Sequence, residues 1–582
     1  MHRVQVRPAV VAYRSRGGRS ICAAAVSGLL ALSVAGCGGD AQDATTGWLV
    51  DGTPGSGVNV DYASGDDGQK RLPRIMGGGV AVFDADLDGD LDLYFVRGHG
   101  GTLDRDGGAG GDGATVNRFL QQQPDGRFVD RTEVSGLGDP GYGMGVAVGD
   151  IDRDGLPDVL VTNFGPDQLY LNRGGGRFEN ATDAWGVRIE GFSASAAFCD
   201  FDADGWLDLF VTRYVEFDPE LSCLDPSGRV DYCGPQSYRG VPDVLLLNDG
   251  GRGFVDVSAK AGIAARADHG LGVVCEDFDA DGHVDVLVAN DGDPNHLWLN
   301  QGDGTFLEDA VAMGMAYDQH GNPEAGMGVV AEDFDGDGAA EAFMTHLENE
   351  TNTLYRPVGP SAFRDATGQS GLGAPSMPFT GFGVEAIDLE LDGDLDLVVA
   401  NGRVRSFGSR HPESASPEPW STMGQPDQVF LNGDGRFEPM APESCPACRR
   451  GQVSRGLSVG DLDGDGDLDA VVTHIDAPAT LWRNEAPRDG RWLRVRAVDP
   501  ATGGDAIGAS LFLESGGIRQ RRVVRTTAGY LSAKPAEVHF GVPEAQGPAV
   551  LEVRWPDGAR EHFDVDCLDC ALTLLRGEGA EP

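Results

Sequence analysis

Asp150-Ile151-Asp152-Arg153-Asp154-Gly155-Leu156-Pro157-Asp158 is the stretch that decides the fold. Acids stand at positions one, three, five and nine, glycine at six, and a short apolar strand, Val159 to Thr162, follows at once. The pattern returns from Asp84, Asp200, Asp277, Asp333, Asp388 and Asp461. One such copy reads as an acidic turn, because Asp and Gly are ordinary turn residues. Seven copies with Gly always at position six read as a repeated binding loop.

Alternating oxygens on a short loop suit a hard cation that takes about six to eight of them at loose geometry. In the first loop Asp84, Asp86 and Asp88 offer side-chain oxygens, Asp90 its carbonyl and Asp92 a closing carboxylate, while Gly89 permits the reversal. The equivalent sets are Asp150, Asp152, Asp154, Leu156 and Asp158; Asp200, Asp202, Asp204, Trp206 and Asp208; and Asp277, Asp279, Asp281, His283 and Asp285. The seventh set, Asp461, Asp463, Asp465, Asp467 and Asp469, is complete. Two depart from the pattern. The fifth (Asp333, Asp335, Asp337, Ala339) closes with Glu341, and the sixth (Asp388, Asp392, Asp394, Asp396) has Glu390 at position three. The longer arm changes reach, so these two are expected to be weaker. An oxygen-only donor set points to calcium, up to seven ions, and away from zinc or copper. Clustered carboxylates repel without a cation, so folding and calcium are expected to be coupled.

Each repeat reads as G-x-G-V strand, acidic loop, apolar strand, L-x-x-N strand and G-x-F strand; the second shows all four, in Gly143 to Val148, Val159 to Thr162, Leu169 to Asn172 and Gly176 to Glu179. Repeats of about fifty residues built from four short strands indicate a β-propeller. Seven repeats predict seven blades over residues 58–486, a β-rich terminal domain over 487–582, and a fold that is all-β. The seventh lacks a G-x-F strand, and Val58 to Tyr62 is expected to complete it.

The strand-plus-loop unit resembles the FG-GAP/VCBS repeat of integrin-α-type propellers. The order of parts from Leu72-Pro73 and Gly77-Gly78-Gly79-Val80-Ala81 onward resembles the cartilage acidic protein family. So does a terminal ASPIC/UnbV-like module carried by Trp492-Leu493, Ile507-Gly508-Ala509, Gln520-Arg521, Gly529-Tyr530-Leu531-Ser532, His539-Phe540-Gly541 and Trp555-Pro556-Asp557-Gly558. Ala533-Lys534 stands where that family has Ser-Gln. The resemblance implies a secreted or surface calcium-binding protein and names no ligand.

Residues 1–36 read as a targeting segment, with Arg3, Arg7, Arg14, Arg16 and Arg19 ahead of the apolar run Ile21 to Ala35. Val34-Ala35-Gly36-Cys37 resembles a lipobox, which makes Cys37 the lipidated mature N-terminus; an ordinary cleaved signal is the alternative. Residues 37–57 read as a flexible tether. The expected location is the bacterial cell envelope, lipid-anchored, with the membrane contacted through the anchor alone.

The formal charge is −47, and residues 487–582 hold 12 basic against 14 acidic residues, so the excess sits on the repeats. Such a surface excludes nucleic acid, whose binding needs clustered Lys and Arg. Eight cysteines follow the tether in an oxidising setting. Cys223 and Cys233 lie in one insertion and are expected to pair. Cys199 and Cys275 are either paired or buried thiols. Cys445, Cys448, Cys567 and Cys570 have zinc-site spacing, with disulfides preferred outside the cytoplasm.

The sequence offers no nucleophile elbow, H-E-x-x-H or Walker loop; Gly108 to Gly113 spells G-x-G-x-x-G in a polar loop that lacks the strand and helix the motif needs. Long insertions, Gly98 to Val116, Tyr214 to Val241 and Gly402 to Pro426, leave the end opposite the acidic loops. There Arg97, Asn163, Arg213, Asn290, His346, Asn401 and His474 either ring a channel mouth or cap turns. Arg403, Arg405, Arg410 and Trp420 are candidate contacts. Arg519, Arg521, Arg522 and Arg525 fit either an anionic partner or, preferably, docking on the acidic repeats. The function expected is binding or adhesion to an extracellular protein or glycan. The rival is a carbohydrate lyase or hydrolase working from the insertion face.

Overall fold

The computed structural model describes residues 47–65, 68–98, 103, 116–407, 411–543 and 549–580. The targeting segment, Cys22, Cys37, Gly108 to Gly113, most of the first insertion and Arg410 lie outside the described residues. The first six repeats each fold as an antiparallel sheet in chain order. In the second, Tyr142–Gly149, Asp158–Phe164, Gln168–Asn172 and Phe178–Asn180 pair in succession, and the acidic loop joins the first strand to the second. Among the described residues seven such sheets form, one for each acidic loop.

Burial grades outward through each sheet. All eight residues of Tyr142–Gly149 are buried, whereas Phe178–Asn180 buries only its phenylalanine. First strands are packed on both faces, so they read as continuous apolar or small runs without alternation. The G-x-G-V motif is a bulge, with the register shifting between Gly143 and Gly145. A Cβ on Gly145 would lie 2.7 Å from the Ala194 carbonyl of the next sheet, so only glycine fits that approach.

Threonine hydroxyls at the ends of second strands reach the first-strand region of the next sheet. Thr212 donates to the Leu271 carbonyl at 2.7 Å, Thr345 to Phe382 at 2.8 Å and Thr473 to Gly78 at 2.7 Å. The last of these joins the seventh sheet to the first. Val80, Leu93 and Phe95 of the first sheet share an apolar cluster with Leu462, Val471 and Leu481 of the seventh.

The strand that completes the seventh sheet differs from expectation. Leu49–Asp51 pairs with Ala477–Asn484, placing the end of the expected tether inside the fold. An outermost strand needs only one inward apolar side chain, which Leu49 supplies. Val58 and Val60 point together into the cluster between the first and seventh sheets, and only Asp61 bridges to Pro478.

The terminal domain is two stacked sheets. Gly490–Asp499 pairs with Val538–Pro543 and Cys570–Leu575, and Ser510–Ser515 pairs with Ile518–Val523 and Ala549–Arg554. Leu493, Val495, Phe540, Leu511, Leu551 and Val553 fill the space between them. From this domain a hairpin, Thr527–Ala528 with Ser532–Ala533, runs in among the first strands of the repeat sheets, and Ala533 pairs in parallel with Ala81. At its tip Val146 donates to the Leu531 carbonyl at 2.9 Å and Val329 to the Gly529 carbonyl at 3.0 Å. Tyr530 is fully buried, edge-on to Phe382 at 5.1 Å, with its hydroxyl donating to the Met76 carbonyl at 3.2 Å.

Among the described residues four disulfides are formed: Cys199–Cys275, Cys223–Cys233, Cys445–Cys448 and Cys567–Cys570. The first ties the first strands of the third and fourth sheets. The last two close each CxxC on itself, which removes the four-cysteine zinc reading. Among the described residues no helix is long and apolar enough to cross a membrane.

Candidate functional site

The acidic loops share one backbone. Position four takes a positive φ, about 58° at Arg153, 57° at Ala203 and 61° at Ala280, and glycine follows at position six with φ near 90°. The position-one carboxylate accepts the glycine N–H, as in Gly155 to Asp150 at 2.9 Å and Gly205 to Asp200 at 2.9 Å. Position five accepts from position seven, as in Leu156 to Asp154 at 3.0 Å, Trp206 to Asp204 at 2.9 Å and His283 to Asp281 at 2.9 Å. The same bond runs from Asp90 to Asp88, from Ala339 to Asp337, from Asp394 to Asp392 and from Asp467 to Asp465. These bonds turn the free oxygens of alternating residues toward one point.

That convergence is measurable. Oxygens of Asp150, Asp152 and Asp158 lie within 4.8 Å of one another, as do those of Asp200, Asp202 and Asp208; of Asp277, Asp279 and Asp285; of Asp333, Asp335 and Glu341; and of Asp84, Asp86 and Asp88. The closing carboxylates are the most deeply set. Burial pushes Asp92, Asp158, Asp208 and Asp285 up to about 8, with the negative charge of neighbouring loop aspartates adding to it against the pull of two backbone N–H donors. Buried Asp86 Oδ1 and Asp333 Oδ1 have no hydrogen-bond partner. A cradle of carboxylate oxygens, some of them unpartnered, fits a hard divalent cation such as calcium.

The closing carboxylate is held from two sides. In the second loop Asp158 accepts Ile151 N–H at 3.0 Å with one oxygen and Asn172 N–H at 2.8 Å with the other. The Asn172 amide then donates to the Ala85 carbonyl inside the first loop at 2.8 Å. Asn248 reaches Ile151, Asn300 reaches Phe201, Asn432 reaches Phe334 and Asn484 reaches Leu389 in the same way. Gln122 reaches Leu462 at 2.7 Å. Sequence reading saw this L-x-x-N position but gave it no role; its recurrence was the signal. The fifth repeat has Pro357 there, so Glu341 Oε1 loses its backbone donor and is left without a hydrogen bond, paired only with the Arg356 charge at 3.7 Å.

The sixth and seventh loops lie under the terminal domain. Asp489 N–H donates to the Glu390 carbonyl at 2.7 Å, and Gly541 packs so close to Asp388 that a Cβ would sit 2.0 Å from its oxygen. Asp388 is raised to about 7, chiefly by burial. Glu390 and Asp396 face each other, and burial raises both. In the seventh loop Asp461, Asp463, Asp465, Asp467 and Asp469 are all partnered by arginines. The sequence marked this loop as complete, and its acids are indeed all present. The arginines were missed because two of them follow the repeat altogether.

The terminal arginines dock, as preferred. Arg521 and Arg525 both bind buried Glu276, Arg525 also binds Glu332 at 3.1 Å, and Arg522 donates to the Gly393 carbonyl at 3.3 Å. Lys534, at the departure from the family pattern, binds Glu385 at 2.9 Å. Arg519 instead pairs with Glu552 inside its own domain.

At the opposite end the polar residues cap turns. Asn163, Asn290 and Asn401 are buried and donate to the carbonyls of Pro166, Pro294 and Pro426. His346 and His474 are buried, and Arg97 pairs with Asp61. Arg213 donates to the Glu190 carbonyl, and Arg403 pairs with Glu348 at 2.9 Å. Trp420 is not an exposed contact: it is fully buried, stacked on Tyr232 at 6.1 Å, with its indole N–H on Asp476 at 2.8 Å. The insertions bury one another there, as Ser406 also donates to Asp231.

Comparison with known proteins fits this geometry. The FG-GAP-like repeat model matches residues 84–161, 152–211, 277–344 and 333–399, and the ASPIC and UnbV model matches residues 500–581. Cartilage acidic protein 1 of Homo sapiens is 30% identical over 365 residues, 58% of this chain and 50% of that protein. The Mus musculus protein of the same name is 30% identical over 363 residues, 58% of this chain and 51% of that one. The chain is thus a homologue of cartilage acidic protein 1 over 58% of its length, with FG-GAP-like repeats and a C-terminal ASPIC and UnbV module. The chain spans about half the length of those two relatives. Among solved structures, an Agrocybe aegerita protein described by its recognition of non-reducing terminal N-acetylglucosamine overlaps 68% of this chain and 88% of its own, at 15% identity and TM-score 0.34. The exotype rhamnogalacturonan lyase YesX overlaps 70% and 72%, at 14% identity and TM-score 0.35. Scores at this level assign nothing to the chain.

Proposed function

We propose that the seven sheets are the blades of a closed seven-bladed propeller whose acidic loops bind calcium, and that the chain is an extracytoplasmic binding or adhesion protein for an extracellular protein or glycan. The convergence of the loop carboxylates, with buried oxygens left unpartnered, carries this reading. Asp84, Asp150, Asp200, Asp277 and their loop partners hold the ion; when bound, it supplies the positive charge that cancels their repulsion. The bonds from Gln122 to Leu462 and from Thr473 to Gly78 support closure of the ring. Four disulfides and the relationship to cartilage acidic protein 1 support an exported protein.

Cys37 anchors the mature chain by lipid in this reading, over the domain order 1–36 leader, 37–57 tether, 58–486 propeller and 487–582 terminal domain, with the strand at Leu49–Asp51 taken from the tether. Cys37→Ser should move the protein out of the membrane fraction; unchanged fractionation would reject the anchor. The binding role is tested on an array of glycans and extracellular proteins probed in millimolar calcium and in EGTA. Calcium-dependent capture of a defined glycan or protein class is expected, and capture indifferent to calcium would reject the role given to the loops.

A further inference from the structure

The seventh loop differs from the others in what surrounds its carboxylates. Arg494 lies 2.8 Å from Asp461, Arg483 lies 3.4 Å from Asp463 and also binds Asp469, and Arg488 spans Asp465 and Asp467 at 2.9 Å each. Five carboxylates therefore share three guanidinium groups. Among the described residues, no Lys or Arg forms such a pair with the first, third or fourth loop; the second has Arg173 3.6 Å from Asp152, and the fifth has Arg356 3.4 Å from Asp335.

The clasp is more than charge. Trp492 lies over the tight reversal, its ring 2.0 Å from where a Cβ on Gly466 would be, and His539 is 2.8 Å from the Gly466 carbonyl. The loop's own bonding is augmented as well: Asp461 takes the Gly464 N–H at 2.8 Å, a bond from position four, beside the position-six glycine N–H that position one also holds in the second and third loops. Arg488, Trp492, Arg494 and His539 all come from the chain that follows the repeats.

We propose that the seventh loop is a calcium-independent latch, in which Arg483, Arg488 and Arg494 take the cation's place, and Arg488 and Arg494 fasten the terminal domain to the repeat sheets. The assignment rests on the calcium reading of the other loops. Guanidinium forks hold carboxylates in directed pairs, and their positive charge opposes entry of a further cation. The remaining loops respond to calcium, while this one holds without it.

The test is bound calcium per chain, measured after equilibrium dialysis, in the wild-type protein, in Asp202→Asn/Asp204→Asn, in Asp463→Asn/Asp465→Asn and in Arg488→Gln/Arg494→Gln, together with melting in EGTA. Loss of one calcium is expected from the third-loop variant and none from the seventh-loop variant. The arginine variant should melt lower in EGTA and bind one calcium more than wild type. Loss of one calcium from Asp463→Asn/Asp465→Asn would overturn the latch. If wild type and the third-loop variant both bind none, the calcium reading of the other loops falls, and the latch is then decided by whether Arg488→Gln/Arg494→Gln melts lower in EGTA. An unchanged melt there would overturn it.

Discussion

The side-chain amide of Gln122, in the first sheet, donates to the main-chain carbonyl of Leu462, in the seventh acidic loop, at 2.7 Å. The residues are 340 apart in sequence. The same bond runs from Asn172 back to Ala85 at 2.8 Å and from Asn300 back to Phe201 at 2.8 Å. One side-chain position thus fixes a closing carboxylate through its backbone and the preceding loop through its amide.

Asn172→Ala should cost about 1–3 kcal/mol, because the buried Ala85 carbonyl and the half-buried Pro157 carbonyl each lose a donor. Urea unfolding in calcium measures it. Restoring an asparagine at the corresponding place in the fifth repeat, Pro357→Asn, should raise stability instead.

Trp420→Ala should destabilise by about 3–5 kcal/mol, since the ring is wholly enclosed and its N–H is bonded to Asp476. A melt close to that of wild type would mean that the insertions do not form a packed cap.

Tyr530→Ala should cost about 3–5 kcal/mol, and Tyr530→Phe about 1 kcal/mol for the bond to Met76 alone. Both changes act at the hairpin tip, so amide exchange of Val146 and Val329, which donate to that tip, should rise in the alanine variant.

Calcium-free protein should lose stability as pH rises from about 6.5 to 8. Asp158, Asp208 and Asp285 titrate at about 8 in the fold, while unfolded aspartates titrate near 4. Over that window the folded chain holds more protons than the unfolded one, so the slope of unfolding free energy with pH is negative. His346 and His474, depressed to about 4 and about 3 by burial, act in the opposite sense only below about pH 6.5. Saturating calcium keeps the loop carboxylates ionised and should flatten the slope; urea titrations at both pH values read it.

The acidic loops were legible because each must carry its acids and glycine at fixed spacing in one contiguous stretch. The sheets were legible because every loop is followed by a short apolar strand. Leu49–Asp51 was hidden, as three residues show no period, and Val58 to Tyr62 has a strand-like alternation that serves a seam instead. The latch on the seventh loop was hidden for a different reason. Arg488 and Arg494 belong to no repeat, and only the closing of the terminal domain brings them to Asp461, Asp465 and Asp467. Likewise the Gly529-Tyr530-Leu531-Ser532 motif was visible, whereas its place among the first strands depends on partners hundreds of residues earlier.

Melting of the full chain in millimolar calcium and in excess EGTA tests the central claim most directly. Each occupied loop should add about 2.7 kcal/mol at a hundredfold excess over its dissociation constant, so chelation should lower the melting temperature sharply and in one cooperative step, with Asp158→Ala more damaging than Glu341→Ala. Identical melting in the two buffers would contradict the assignment of the acidic loops as structural calcium sites.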